Sequence, residues 1–250
     1  MKIKALIASA IVLLTSAAAN AGTIAYGTGD RNPWDQTTND AAMNAAFGAG
    51  QWSKTMGFST AIFADADFVF LDGSDSNADA FSSFLAANND IVTSYVSNGG
   101  RLFLNAAPNQ GGSFDFGFGV RLTYPGFSNY VSVTEAGIAA GLTQGGIATG
   151  YSGNAFGHAT VSGAISDLIN DGSNGIVFGA MQYGKGFVAF GGQTTDNFHS
   201  PNADARTLLV NELRYVASAE TNDVPEPASL ALIGMGLLAA GAARRKASGK

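Results

Sequence analysis

His158 and His199 are the only imidazoles in 250 residues, and there is no cysteine. Without a thiol the chain has no disulfide, no thiolate zinc site and no cysteine nucleophile. His199 stands in GGQTTDNFHSPN, just after an apolar run, with Asp196 three residues ahead of it. Loops at the carboxyl ends of strands are where α/β sheets build sites. A hydrolytic centre would join His199 to Asp196 and to a serine such as Ser94 or Ser113. No G-x-S-x-G elbow supports it, since Gly-Tyr-Ser-Gly-Asn at 150–154 departs from that pattern. A second cluster is acidic: DADFVFLDGSDSNAD gathers Asp65, Asp67, Asp72, Asp75 and Asp79. Carboxylate oxygens suit calcium, and Asp72, Asp75 and Asp79 are the candidate ligands, although the EF-hand order is missing. An Asp at a strand end also makes Asx-turns or caps the next helix. Calcium is thus the one cofactor the pattern allows, and no metal site is established by motif. A third group is aromatic: Phe114, Phe116, Phe118, Tyr124, Phe127 and Tyr130 lie within GGSFDFGFGVRLTYPGFSNY. Exposed, such rings stack on sugars; the alternation in SFDFGFGV also fits a strand with one buried face, and burial is the favoured reading.

The elements that must position these residues alternate between strand and helix. TIAY at 23–26 begins a short apolar strand, and Gly27-Thr28-Gly29 lacks full dinucleotide-binding spacing. DAAMNAAF at 40–47 reads as a helix capped by Asn39 or Asp40. FVFL at 68–71 and RLFLN at 101–105 are continuous apolar runs, the pattern of strands buried on both faces. Between them, 78–97 repeats apolar residues at helical spacing (Phe81, Phe84, Leu85, Ile91, Val92, Tyr95, Val96) and ends on Asn98-Gly99-Gly100. Strand, helix and strand make a βαβ unit with a parallel pair. GIVFGAMQYGKGFVAFGG at 175–192 predicts a hairpin turning at Gly184-Lys185, and 202–218 predicts a final helix with Leu208, Leu209, Leu213 and Val216 buried.

The succession ADFVFLDGSD, YVSNGGRLFLNA, YGKGFVAFGG and LLVNELRYV resembles the class I glutamine-amidotransferase-like fold. That resemblance implies a flavodoxin-like α/β sandwich over 22–218, with a mostly parallel sheet plus a β-hairpin. Active members of that family place a cysteine on the turn after the strand here at 101–105. In this chain the turn is Asn105-Ala106-Ala107-Pro108, so the resemblance implies the scaffold without the amide hydrolysis.

Both ends read as transport signals. Residues 1–21 have Lys2 and Lys4, an apolar run ALIASAIVLL, and Ala19-Asn20-Ala21 as a signal-peptidase cleavage site. Residues 219–223 form a linker. The stretch 224–250, VPEPASLALIGMGLLAAGAARRKASGK, places Pro225-Glu226-Pro227 before an apolar segment at 228–243 and the basic cluster Arg244, Arg245 and Lys246. Such a hydrophobic helix is short for a bilayer core of ~30 Å at ~1.5 Å per residue. This arrangement resembles the PEP-CTERM sorting signal. It implies a Gram-negative bacterium, recognition of Pro225, Glu226 and Pro227 by exosortase, transient anchoring in the inner membrane, and delivery to the cell surface or extracellular matrix.

Between the two signals, residues 22–223 carry seven basic and 18 acidic side chains, near −11, against −6 for the whole chain. That charge repels nucleic-acid phosphates and anionic lipid. The membrane is therefore met only through the C-terminal segment. The expectation is an exported surface protein with a non-catalytic structural or binding role linked to exopolysaccharide and biofilm; the alternative is a secreted hydrolase using His199 with a nearby Asp or Ser. Its partners in export would be signal peptidase and exosortase.

Overall fold

A computed structural model describes residues 23–222. The signal segment 1–21 with Ala19 and Ala21, the Pro225-Glu226-Pro227 element, the apolar run 228–243 and the basic cluster 244–246 lie outside those residues. Among the described residues no helix is long and apolar enough to cross a membrane.

The chain begins with β1 (Ile24–Thr28), α1 (Thr38–Phe47), β2 (Ser53–Met56), β3 (Phe68–Asp72), α2 (Ala78–Ser97) and β4 (Arg101–Asn105). It continues through β5 (Phe114–Gly117), β6 (Val120–Thr123), β7 (Ser128–Val133), the short α3 (Glu135–Ala139), β8 (Gly150–Gly157), β9 (Thr160–Ser162) and β10 (Ser166–Asn170). It closes with the hairpin β11 (Ile176–Tyr183) and β12 (Gly186–Gly191), then β13 (His199–Ser200) and α4 (Asn202–Ala217). Both apolar runs that read as doubly buried strands are so: β3 is buried along its whole length, and β4 everywhere but Arg101.

The sheet runs β13-β8-β7-β10-β11-β12-β4-β3-β1-β2, with β5, β6 and β9 off that path. This corrects the mostly parallel expectation. Parallel pairing joins β2, β1, β3, β4 and β12, whereas the pairings among β5 to β11 and β13 are antiparallel, as is β11 with β12. The cause is the Gly-rich stretch after β4. From there on β5-β6, β10-β11 and β11-β12 each follow one another through a short turn, and short turns reverse strand direction. The architecture is a mixed α/β sandwich.

Pleating sends alternate residues to opposite faces. Phe68, Phe70 and Phe103 join Met43 of α1 and Leu208 and Leu213 of α4 in one core. Val69, Leu71, Leu102 and Leu104 join Phe81, Val92 and Val96 of α2 and Phe114 and Phe116 of β5 in the other. The aromatic stretch therefore divides by strand parity and position. Phe114 and Phe116 are buried beside exposed Asp115, while Phe127 and Tyr130 stay exposed. Gly73 is required where β3 leaves the sheet, since a Cβ there would sit 2.1 Å from the Phe81 ring.

Candidate functional site

Parallel register aligns Thr28 with Asp72, Asp72 with Asn105, and Asn105 with Gly191. The carboxyl ends of β1, β3, β4 and β12 thus form one row, where open α/β sheets place their ligands. A buried polar network stitches the row together. Asp72 accepts from Asn39 Nδ2 at 2.6 Å, from the Ser74 backbone N–H at 2.9 Å, from the Ser74 hydroxyl, and from Asn105 Nδ2 at 3.3 Å. Asn39 is thus no helix cap: it lies inside α1, and its amide also donates to the Tyr26 hydroxyl. Burial pushes the Asp72 carboxyl above its ordinary range, and the hydrogen bonds from Ser74, Asn39 and Asn105 oppose that rise. Burial likewise pushes the Tyr26 phenol up.

Asn105 clamps the next strand end from both sides of its amide. Its Nδ2 donates to Gln193 O at 3.0 Å, and its Oδ1 accepts from Gln193 N–H at 3.2 Å. The Gln193 amide then donates to Glu212 of α4. Gln193 Oε1 and Glu212 Oε1 are both buried without a protein partner. They line a cavity of about 10 Å³ with Phe156, His199, Leu208 and Leu209. Burial pushes the Glu212 carboxyl up to about 8, which the Gln193 hydrogen bond only partly offsets. At neutral pH it is mainly the uncharged acid.

His199 does not join Asp196. Its Nε2 lies 2.8 Å from Thr194 Oγ1, and its ring stacks on Phe156 at 3.8 Å between centroids. Thr194 Oγ1 donates to Ala155 O, so it accepts from a protonated Nε2. Burial lowers the imidazole pKa to about 3, which keeps it neutral. Asp196 accepts instead from Arg206 Nε at 2.8 Å and from Thr195 Oγ1. Ser113 exchanges hydrogen bonds with the Tyr124 backbone, and Ser94 lies within α2. Among the described residues no hydrogen bond assembles a Ser-His-Asp relay.

The turn after β4 also departs from a nucleophile elbow. Ala106 and Ala107 are fully buried, Ala107 N–H donates to Ser74 Oγ at 2.9 Å, and Pro108 pairs with Asp75 as a parallel bridge. The chain stays extended there and next forms β5, not a helix. The calcium candidates part company as well. Asp72 is inside the network, Asp75 accepts from the Trp34 N–H and Asn109 Nδ2, and Asp79 is exposed on α2. Among the described residues no three His, Asp or Glu side chains converge to hold a metal.

One feature of this edge has no sequence motif behind it. Trp34 has φ +51 and Asp35 has φ +54, a left-handed backbone that non-glycine residues seldom adopt. Asp75 Oδ2 holds the Trp34 N–H at 3.1 Å. The indole meets His158 edge-on at 5.9 Å and Phe198 at 5.7 Å, and His158 meets Phe127 at 5.0 Å. The Asn-Pro dipeptide before Trp34, a turn signal after the first strand, is the cue that could have drawn attention to it.

Comparison with known proteins decides the nature of the tail. Residues 223–246 match the PEP-CTERM protein-sorting motif. The chain carries the sorting signal of an exosortase substrate. That PEP-CTERM signal implies a bacterial protein that is exported and processed at the membrane. No curated protein matches the chain. Among solved structures, a protein assigned as a GMP synthase component from Thermoplasma acidophilum is similar with a TM-score of 0.50 and 10% identity, over 79% of this chain and 95% of that one. At such identity the likeness concerns the fold alone. A ThuA-like protein from Parabacteroides merdae gives 0.49 and 14%, over 82% and 93%. The β-galactosidase from Bacillus circulans gives 0.46 and 13% over 77% of this chain, which spans only 30% of that enzyme.

Proposed function

We propose that this exosortase substrate is a cell-surface or extracellular-matrix protein with a non-catalytic binding role toward exopolysaccharide. Its α/β body is a flavodoxin-like, class I glutamine-amidotransferase-like scaffold without the reaction. The parallel order β2-β1-β3-β4-β12 supports the scaffold reading. One observation carries the loss of reaction: polar side chains of the row, Asp72, Ser74, Asn105 and Gln193, are buried and bonded to one another, and alanines occupy the turn where the nucleophile would stand. A group that must attack a substrate has to reach it. The PEP-CTERM signal supports the destination, and a Gram-negative host with transient inner-membrane anchoring is part of the same proposal.

The test is retention of the full-length protein by immobilised exopolysaccharide from its own host, run beside amide, ester and glycoside hydrolysis assays. Saturable retention without turnover is the expected result. Turnover that disappears in His199→Ala would overturn the non-catalytic reading, and failure of every polysaccharide fraction to retain the protein would overturn the binding role.

A further inference from the structure

The sheet order reverses between β1 and β3. From β1 the chain steps outward to β2, then returns across β1 to β3. Such a switch point opens a crevice between the loops leaving the two strands, and ligands of α/β sheets settle there. In this protein the two loops carry Trp34 and Asp75, and the hydrogen bond from Trp34 N–H to Asp75 Oδ2 bridges them. Rings extend from that bridge as a connected strip. Phe198, Trp34, His158, Phe127 and Tyr124 follow one another with neighbouring centroids 5.0 to 6.0 Å apart. Phe127 is 59% exposed and Phe198 42%, while Trp34, His158 and Tyr124 are half-buried and Tyr124 packs against the α2 core, so the strip reaches solvent at Phe127 and Phe198.

The strip is held in place. His158 Nδ1 lies 3.0 Å from Pro108 O, and since a carbonyl only accepts, Nδ1 carries the proton. His158 N–H donates to Gly192 O, and His158 O accepts from Gly126 N–H in the loop that bears Phe127. Left-handed backbone at Trp34, Asp35 and Asp75 stores strain that proteins keep mainly at functional sites. Amide and carboxylate groups rim the rings: Asn109 donates to Asp75 on one side, and Asn197 donates to Gln36 on the other.

We infer that this strip is a binding platform for a neutral saccharide chain, the rings taking the C–H faces of successive sugars and the rim taking their hydroxyls. Three features select that chemistry. The exposed rings Phe127 and Phe198, each set edge-on to half-buried neighbours and beside fixed polar groups, match an amphipathic sugar ring, which is apolar on its face and polar at its edge. The surrounding carboxylates Asp35 and Asp75 and the charge near −11 over residues 22–223 repel phosphate, sulfate and uronate groups. The prearranged rings lose little freedom on binding. The inference rests on the exopolysaccharide reading and assigns it a surface.

Isothermal titration calorimetry on the full-length protein tests it, with hexaoses of β-1,4-linked glucose, mannose and galactose as neutral probes and a polygalacturonate hexamer as the anionic one. At least one neutral hexaose binds saturably, and the anionic hexamer binds more weakly. Trp34→Ala and Phe127→Ala each weaken the neutral Kd by about tenfold or more, as loss of an aromatic anchor does. Phe127 is exposed, so Phe127→Ala keeps the wild-type melting temperature. Binding of no neutral hexaose, an anionic hexamer bound as well as the neutral ones, or unchanged affinity in both variants would each overturn the platform. If host exopolysaccharide retains wild type and both variants equally, the platform fails while the exopolysaccharide reading stands. If it retains none of them yet a neutral hexaose binds through Trp34, that reading fails and the platform stands.

Discussion

Replacing Glu212 by glutamine turns a fully buried acid into a neutral copy of its protonated form. In the folded protein the carboxyl is held near 8, against an ordinary 4.5. Between those values the folded state keeps a proton that the unfolded chain has released. Stability therefore falls as pH rises, by about 1.4 kcal/mol per unit. His199 acts in the opposite sense. Its folded value is near 3 against an ordinary 6.5, so stability is lost as pH falls from 6.5 toward 3, with the same slope. The two slopes cancel between pH 4.5 and 6.5, and above 6.5 only the Glu212 slope remains of this pair. The raised Asp72 carboxyl adds in the same direction as Glu212. Urea unfolding at pH 5 and pH 8, at constant ionic strength, reads the effect. Glu212→Gln should stay within about 1 kcal/mol of wild type at pH 5, because it keeps the shape and the hydrogen bond from Gln193. At pH 8 it should be more stable than wild type by on the order of 4 kcal/mol. Parallel curves for wild type and variant across this range would show that Glu212 titrates normally in the fold and would refute the reasoning.

Three further outcomes follow from other parts of the molecule. His199→Gln should flatten the acid limb, so that wild type loses about 2 kcal/mol relative to the variant between pH 6.5 and 5, read by the same urea series. Ser74→Ala deprives Asp72, Asn105 and the Ala107 N–H of one partner each and should cost about 2–3 kcal/mol in urea midpoint stability. The proposal that exosortase reads Pro225-Glu226-Pro227 predicts that, in the native host, Pro225→Ala combined with Pro227→Ala leaves the C-terminal tail uncleaved, since proline fixes φ and lacks the N–H that a helix needs. Intact-mass measurement reads this, and cleavage as in wild type would contradict exosortase recognition of that element.

What could be read in the sequence was local. FVFL and RLFLN announce buried strands because their side chains are apolar on both faces, and α2 follows from 3.6-residue spacing closed by Asn98-Gly99. The hairpin follows from Gly184, whose φ of +60 suits the tight turn. The polar row was not legible, because Thr28, Asp72, Asn105 and Gln193 meet only through parallel register between distant segments. His199 and Asp196 looked like partners by proximity in the chain. The short turn at 196–198 leaves the imidazole on Thr194 and Phe156 and the carboxylate on Arg206. Trp34 carried no glycine to announce its left-handed backbone, and the carboxylate that accepts its N–H, Asp75, comes from another loop.

The buried row and the ring strip are linked through the loops between them, which gives the buried polar groups a positioning role under the proposed binding function. Buried polar groups are costly unless they are paired, and here the pairs fix loops. Asp72 and Ser74 set the path of the chain leaving β3, and that chain presents Asp75, which holds Trp34. Asn105 fixes the backbone of Gln193, and the adjacent Gly192 O receives the N–H of His158. Each link runs from a strand end outward to a ring. The two layers should therefore separate under mutation. Ser74→Ala loosens the loop that carries Asp75, so it should weaken hexaose binding along with stability. Phe127→Ala removes only a contact surface and should weaken binding alone. Equal binding by wild type and Ser74→Ala, despite the lower stability, would mean that the row supports the core and not the platform.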